Sequence, residues 1–147
     1  MLIKIMQLDK FTDYALRVLV TLAVRAPDRV AAAEIARLYG LSANHLAKVA
    51  TALVRTGFVN SERGRGGGLR LARPACGINI GAVLRSLKQT EPVAECFSSE
   101  GICLIAPACG LRAPLAEAQE AFFASLDRYT LADVTKSKAP LLALLTP

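Results

Sequence analysis

Three of the four cysteines, Cys96, Cys103 and Cys109, lie in one short stretch with six and five residues between them. Thiolates are soft ligands that suit iron-sulfur clusters, zinc or copper(I), and three on one loop can wrap a metal group while leaving a coordination position for another donor. The spacing has neither the paired C-x(2–4)-C knuckle of structural zinc sites nor the compact C-x(2)-C-x(2)-C run of ferredoxins. It admits a cluster, with three small buried apolar residues as the lesser alternative. Cys76 stands apart, two residues after Pro74, and reads as a small buried residue rather than a ligand. No residue is assigned a catalytic role, and the chain reads as a non-enzyme.

A second chemistry is carried by arginine and glycine. Glu62 to Gly68 is a glycine-rich tip between two short extended segments, Phe58-Val59 and Leu69-Arg70-Leu71, with Arg63, Arg65, Arg70 and Arg73 around it. A hairpin whose tip is mostly backbone suits close approach to phosphates and entry of arginine into a narrow minor groove. The rival, a nucleotide-cradling loop, lacks the Gly-Lys-Ser/Thr and the following helix that it needs.

The elements around these residues follow from periodicity and caps. Phe11, Ala15, Val18, Leu19, Leu22 and Ala23 fall at helical spacing until Pro27, and Asp13 and Arg17 on that helix can pair across one turn. Ala32 to Tyr39 makes a second helix, Gly40 breaks it beside a buried Leu41, and Ser42 caps a third from Ala43 to Thr56. Helix, tight turn, helix and wing make a winged helix-turn-helix. A fourth helix spans Ile80 to Lys88, and a loop from Glu91-Pro92 to about Pro107 carries the first two of the clustered cysteines. A longer helix from Leu111 to Tyr129 presents Leu111, Leu115, Ala118, Phe122 and Leu126 at steps of three and four, with Pro114 tolerated near its start. That stripe could pack on its own domain or on a two-fold mate, and its length favours a dimer helix. Thr130 to Asp133 reads as a capped turn and Lys136 to Pro147 as an apolar tail. The fold class is mainly α with a small β-wing: a winged helix-turn-helix plus a long C-terminal dimerisation helix.

Charge is divided unevenly. Twelve of the 18 Lys and Arg, but only five of the 12 Asp and Glu, precede Pro74, so the net charge of +6 belongs to the first half. A basic amino-terminal half before a near-neutral, cysteine-bearing half reads as a nucleic-acid-binding head with a sensing or assembling body. Ser42, Asn44, His45 and Lys48, with Arg63 and Arg65 from the wing, are the expected base-edge and phosphate contacts. An apolar fraction of 53% with 20% charged residues excludes a disordered chain. No stretch reaches the roughly 18 to 20 apolar residues of a membrane span. Met1 to Met6 is too short for a secretory signal, and Met6 is an alternative start. A cytoplasmic protein without structural disulfides is expected.

Taken together, the run Met6 to Arg17, the Ser42 to Lys48 segment, the Gly64 to Leu71 wing, the three-cysteine loop and Tyr129 to Asp133 resemble the nitric-oxide-sensing branch of the iron-sulfur winged-helix repressors. The resemblance covers Met6 to Val134. It implies an iron-sulfur cluster, 4Fe-4S or alternatively 2Fe-2S, with Cys96, Cys103 and Cys109 as ligands and Asp13 supplied by the partner subunit. Other members of that family carry a histidine three residues after the last cysteine; Arg112 occupies the place here, which argues against that ligand set. The six-residue first gap is longer than the family's usual four or five.

The resulting expectation is a homodimeric repressor that binds a palindromic operator in double-stranded DNA and releases it when nitric oxide attacks the cluster. Residues 1–78 would form the DNA-binding region, and residues 79–147 the sensor loop, dimerisation helix and tail, in one compact chain. The alternative is a regulator of the same fold that senses iron or cluster status. An electron carrier would not need a basic wing, and a zinc-stabilised DNA-binding protein would be colourless.

Overall fold

A computed structural model of the chain describes residues 8–87, 94–98 and 103–147. Met6, Gln7, Lys88 and the loop start at Glu91-Pro92 lie outside the described residues. The chain divides into two compact units, one made of residues up to 78 together with 130–147, the other of residues 79–129.

In the first unit α1 (Lys10–Val24) begins at Asp9, whose carboxylate accepts the Thr12 amide at 3.0 Å and the Thr12 hydroxyl at 2.8 Å. Its apolar face of Ala15, Val18, Leu19 and Leu22 is buried. α2 (Ala32–Tyr39) ends at Gly40, whose φ of 65° lies in the left-handed region. The Leu41 amide then reaches the Ala36 carbonyl at 2.8 Å and the Gly40 amide the Arg37 carbonyl at 3.2 Å, which closes the helix and turns the chain. Leu41 itself is half-buried, not buried as expected, because this turn lies at the surface. α3 (Ala43–Arg55) starts at Ser42, whose hydroxyl accepts the His45 amide at 3.3 Å. It packs on α1 and α2 through Leu46, Val49 and Leu53.

The wing is an antiparallel pair, β1 (Val59–Glu62) and β2 (Gly68–Leu71), with Val59 opposite Leu71 and Glu62 opposite Gly68. Val30 adds a third, one-residue rung: its amide and carbonyl bond Leu69 at 3.0 and 2.8 Å. Gly68, at φ 140°, permits this, since a Cβ there would stand 3.0 Å from the Val30 carbonyl group. The unit is thus a winged helix-turn-helix, mainly α with a small β-wing.

The second unit holds α4 (Ile80–Leu87) and α5 (Arg112–Leu126), which pack together. Arg85 donates to both Glu120 oxygens at 2.8 and 3.0 Å and to Asp127 at 2.8 Å, and its guanidinium lies 4.9 Å from the Phe123 ring centre. The Arg85 hydrogen bond holds the Glu120 carboxyl below the usual carboxylate range. Asn79 draws in the Asp127 carbonyl at 2.6 Å, and Tyr129 gives its carbonyl to the Ile80 amide at 2.9 Å. The helix accordingly stops at Leu126, short of the expected Tyr129. Of α5 only Phe123 is buried, whereas Leu115, Phe122 and Leu126 of the expected stripe are half-buried and Leu111 and Ala118 exposed.

The chain returns to the first unit in α6 (Leu131–Val134), where Thr130 and Asp133 form a reciprocal cap: the Thr130 amide donates to the Asp133 carboxylate at 2.8 Å and the Asp133 amide to the Thr130 hydroxyl at 3.2 Å. Those bonds lower the Asp133 carboxyl below its ordinary value. Leu131 is fully buried and its amide bonds the Ile78 carbonyl at 2.8 Å. The apolar tail contains α7 (Lys138–Leu144), with Pro140 in the first turn where its missing amide goes unused, and Leu145 buried. No described helix is long and apolar enough to cross a membrane.

Candidate nucleic-acid interface and cysteine loop

Burying Leu46, Val49 and Leu53 forces the opposite face of α3 outward, and Ser42, Asn44 and Lys48 are all exposed on it. Thr51 and Arg55 continue the same face, and Arg37 on α2 is also exposed. Sequence reasoning did not nominate these three, although the spacing of four from Ala47 to Thr51 to Arg55 is legible once the buried face is known. His45 is placed differently from its neighbours. It is half-buried, its ring 5.1 Å from Tyr14 edge-on and 6.3 Å from Phe11, so one face of the imidazole belongs to α1.

Arg63 and Arg65 are exposed at the wing tip, where Gly64 and Gly66 take positive φ. Arg70 is exposed on the outer side of β2 while Leu69 points inward. Arg73 is tied down, its guanidinium 5.2 Å from the Phe58 ring centre and its Nε donating to the Gly77 carbonyl at 3.1 Å. The surface formed by α3 and the wing is therefore exposed and cationic, the charge suited to a polyanion.

Asp13 accepts Arg17 in a bidentate pair, Nε at 3.2 Å and Nη2 at 2.8 Å, with both side chains 40% exposed. The same guanidinium lies 5.5 Å from the ring centres of Tyr14 and of Tyr39, and the Tyr39 hydroxyl is 3.0 Å from Thr21 Oγ1. Asp13 is thereby linked through one arginine to the ring beside His45 and to the last residue of α2 before the turn.

In the second unit Cys96 lies in a 3-10 turn, Glu95–Phe97, and Cys103 and Cys109 in the turns leading to α5. All three are half-buried free thiols. The Leu111 amide donates to the Cys109 sulfur at 3.4 Å, and the Arg112 guanidinium lies 5.4 Å from the Phe97 ring centre, next to Cys96. Among the described residues no three His, Cys, Asp or Glu side chains converge as a metal site. Cys76 is exposed, contrary to the expected burial, because the 3-10 turn Ala75–Gly77 buries none of its own residues.

The donor chemistry nevertheless fits an iron-sulfur cluster: three free thiols, none sealed in the core, one already accepting an N–H of the kind that tunes cluster sulfurs.

Comparison with known proteins places the chain among regulators. The profile of the Rrf2 family, described as iron-dependent transcriptional regulator, matches residues 8–137. The HTH-type transcriptional regulator NsrR of Bacillus subtilis (strain 168) is 44% identical over 142 residues, covering 95% of this chain and 97% of that protein. Among solved structures, T. potens IscR shares the fold with a TM-score of 0.71 at 23% identity, over 92% of this chain and 90% of that one. CymR, the global cysteine regulator of B. subtilis, gives a TM-score of 0.64 at 24% identity, over 90% and 98%.

Proposed function

Because the chain belongs to the Rrf2 family of transcriptional regulators, we propose that it is a homodimeric, cytoplasmic repressor whose grip on a palindromic operator is released by nitric oxide acting at a 4Fe-4S cluster. The observation that carries this reading is the 44% identity to NsrR over 95% of the chain, which extends across the cysteine stretch. The motif resemblance to the nitric-oxide-sensing branch supports the signal.

Cys96, Cys103 and Cys109 would hold the cluster in one subunit, with Asp13 of the partner subunit as the fourth ligand. A bound cluster supplies iron with high affinity for nitric oxide, and a carboxylate, a hard ligand on a soft centre, is the position most readily given up. For Asp13 to serve, at least one of its carboxylate oxygens must give up Arg17, which loosens the bidentate pair. That costs little, since a pair this exposed contributes about 1 kcal/mol or less. Loosening it frees the guanidinium that lies on Tyr14 and Tyr39, and Tyr14 touches His45 at the start of α3. Loosening that ion pair would thus bias the turn and the first residues of the recognition helix, a physical route from ligand to DNA face.

On DNA, α3 would enter the major groove with Ser42, Asn44, His45 and Lys48 toward bases and phosphates while Arg63 and Arg65 reach from the wing. Two-fold symmetry sets half-sites about 10 bp apart, or a multiple of that. Anaerobically purified protein is expected to be coloured and to contain iron and sulfide. Replacing any of the three cysteines should abolish that content, and Asp13→Ala should alter the visible spectrum and weaken cluster retention. Colourless protein carrying zinc, or an Asp13→Ala spectrum and retention matching the parent, would overturn the ligand set.

A further inference from the structure

The wing contains one acidic residue among its arginines. Glu62, the last residue of β1, is bound by Arg29 from the segment before α2: Nη2 donates to one carboxylate oxygen at 2.7 Å, and Nη1 pairs with the other. Arg29 also reaches the Gly66 carbonyl at the tip at 3.5 Å. The next residue, Val30, is the one that bonds Leu69 in β2. One two-residue segment therefore grips both strands and the tip of a hairpin whose glycines would otherwise leave it loose. The Arg29 side chain is 28% exposed and that of Glu62 52%, so the pair is a partly shielded fork rather than two mobile surface charges.

We propose that Arg29 is a positioning residue for DNA binding: its fork on Glu62 and Gly66 fixes the wing tip so that Arg63 and Arg65 are presented to the nucleic acid, without Arg29 itself touching a phosphate. The inference rests on the reading of the wing as a DNA contact. It makes a prediction that net charge alone would reverse. Removing an acidic residue from a DNA-facing surface ordinarily strengthens binding by lowering repulsion. Here Glu62→Ala releases the latch and weakens it.

The test is operator affinity of the full-length dimer in Arg29→Ala, Glu62→Ala, Arg65→Ala and the Arg29→Ala/Arg65→Ala double variant, across a salt series. Arg29→Ala and Glu62→Ala are each expected to weaken binding, by up to about fivefold per half-site, the factor that corresponds to the upper end for a surface ion pair. The salt slope of Arg29→Ala should stay that of the parent, whereas Arg65→Ala flattens it by about one unit. In the double variant the two losses should fall short of their product, since one acts through the other. Tighter binding by Glu62→Ala, a slope lowered by Arg29→Ala, or fully multiplicative losses would each overturn the latch. If Arg65→Ala leaves both affinity and slope unchanged, it is the wing contact itself that fails. Glu62 is more than half exposed, so Glu62→Ala keeps the question open to refutation even if Arg29→Ala does not fold.

Discussion

In the head, α3 turns Leu46, Val49 and Leu53 inward to full burial; in the second unit α5, two residues longer, buries Phe123 alone. In the head α3 packs on both α1 and α2, whereas α5 is joined to α4 with the Arg85 fork on Glu120 and Asp127 between them. Leu111 and the loop residues Leu104 and Ile105 are exposed, the last two between Cys103 and Cys109. On α5 Leu115, Phe122 and Leu126 are half-buried, and among the described residues the cysteine loop has no convergent metal site. A head complete in one subunit and a sensor completed by two is the division of labour that the proposed mechanism uses.

The largest effect that separates the two regions is expected at Leu46. Leu46→Ala should cost about 3 kcal/mol by urea denaturation, through lost burial and the cavity left behind. Leu115→Ala, half-buried on α5, should cost under about 1 kcal/mol in the unfolding of a single chain and should show itself instead as a concentration-dependent loss of dimer. Equal, concentration-independent losses at the two sites would erase the contrast. Next comes Gly40→Ala, which must adopt the left-handed conformation at φ 65° with open space around it, at a cost of about 1 kcal/mol in melting or denaturant experiments.

Asp13→Asn should change folding stability by less than about 1 kcal/mol, because the pair it removes is 40% exposed. Its effect on cluster retention should be far larger. A large stability loss without any effect on the cluster would return Asp13 to a structural role. The smallest effect is an acid one. Glu120 and Asp133 have carboxyls lowered in the folded state, so the stability they add is present above their ordinary pKa and is lost as pH falls through the lowered one. NMR titration of the Glu120 carboxyl in Arg85→Ala should return it toward the ordinary range, with Asp133 in the other unit unmoved.

The head was legible wherever local chemistry specifies the backbone. Gly40 and Ser42 fix the ends of α2 and α3, and the glycines from Gly64 to Gly68 announce a hairpin. What escaped depends on distant partners. The Val30 rung has no periodicity to betray it, and Arg29 finds Glu62 across 33 residues. His45 reads as polar by type but turns to Tyr14 because α1 crosses its helix there. α7 was hidden by Pro140, which marks a break in a sequence pattern but is harmless in a first turn. The cysteine loop is a different case: its donors are plain from residue type, but what would gather them in the proposed reading, a cluster and a second subunit, is not written in local spacing.

In the proposed mechanism a cluster held at the cysteine loop governs the head. This control is tested most directly by titrating nitric oxide, without oxygen, into iron-sulfur-loaded dimer bound to its palindromic operator while following both the cluster spectrum and the complex. Loss of the complex with nitric oxide at or below the iron concentration, in step with the spectral change, and only slow loss under an iron chelator, is the predicted result. Operator binding that survives nitric oxide but tracks iron depletion would contradict it.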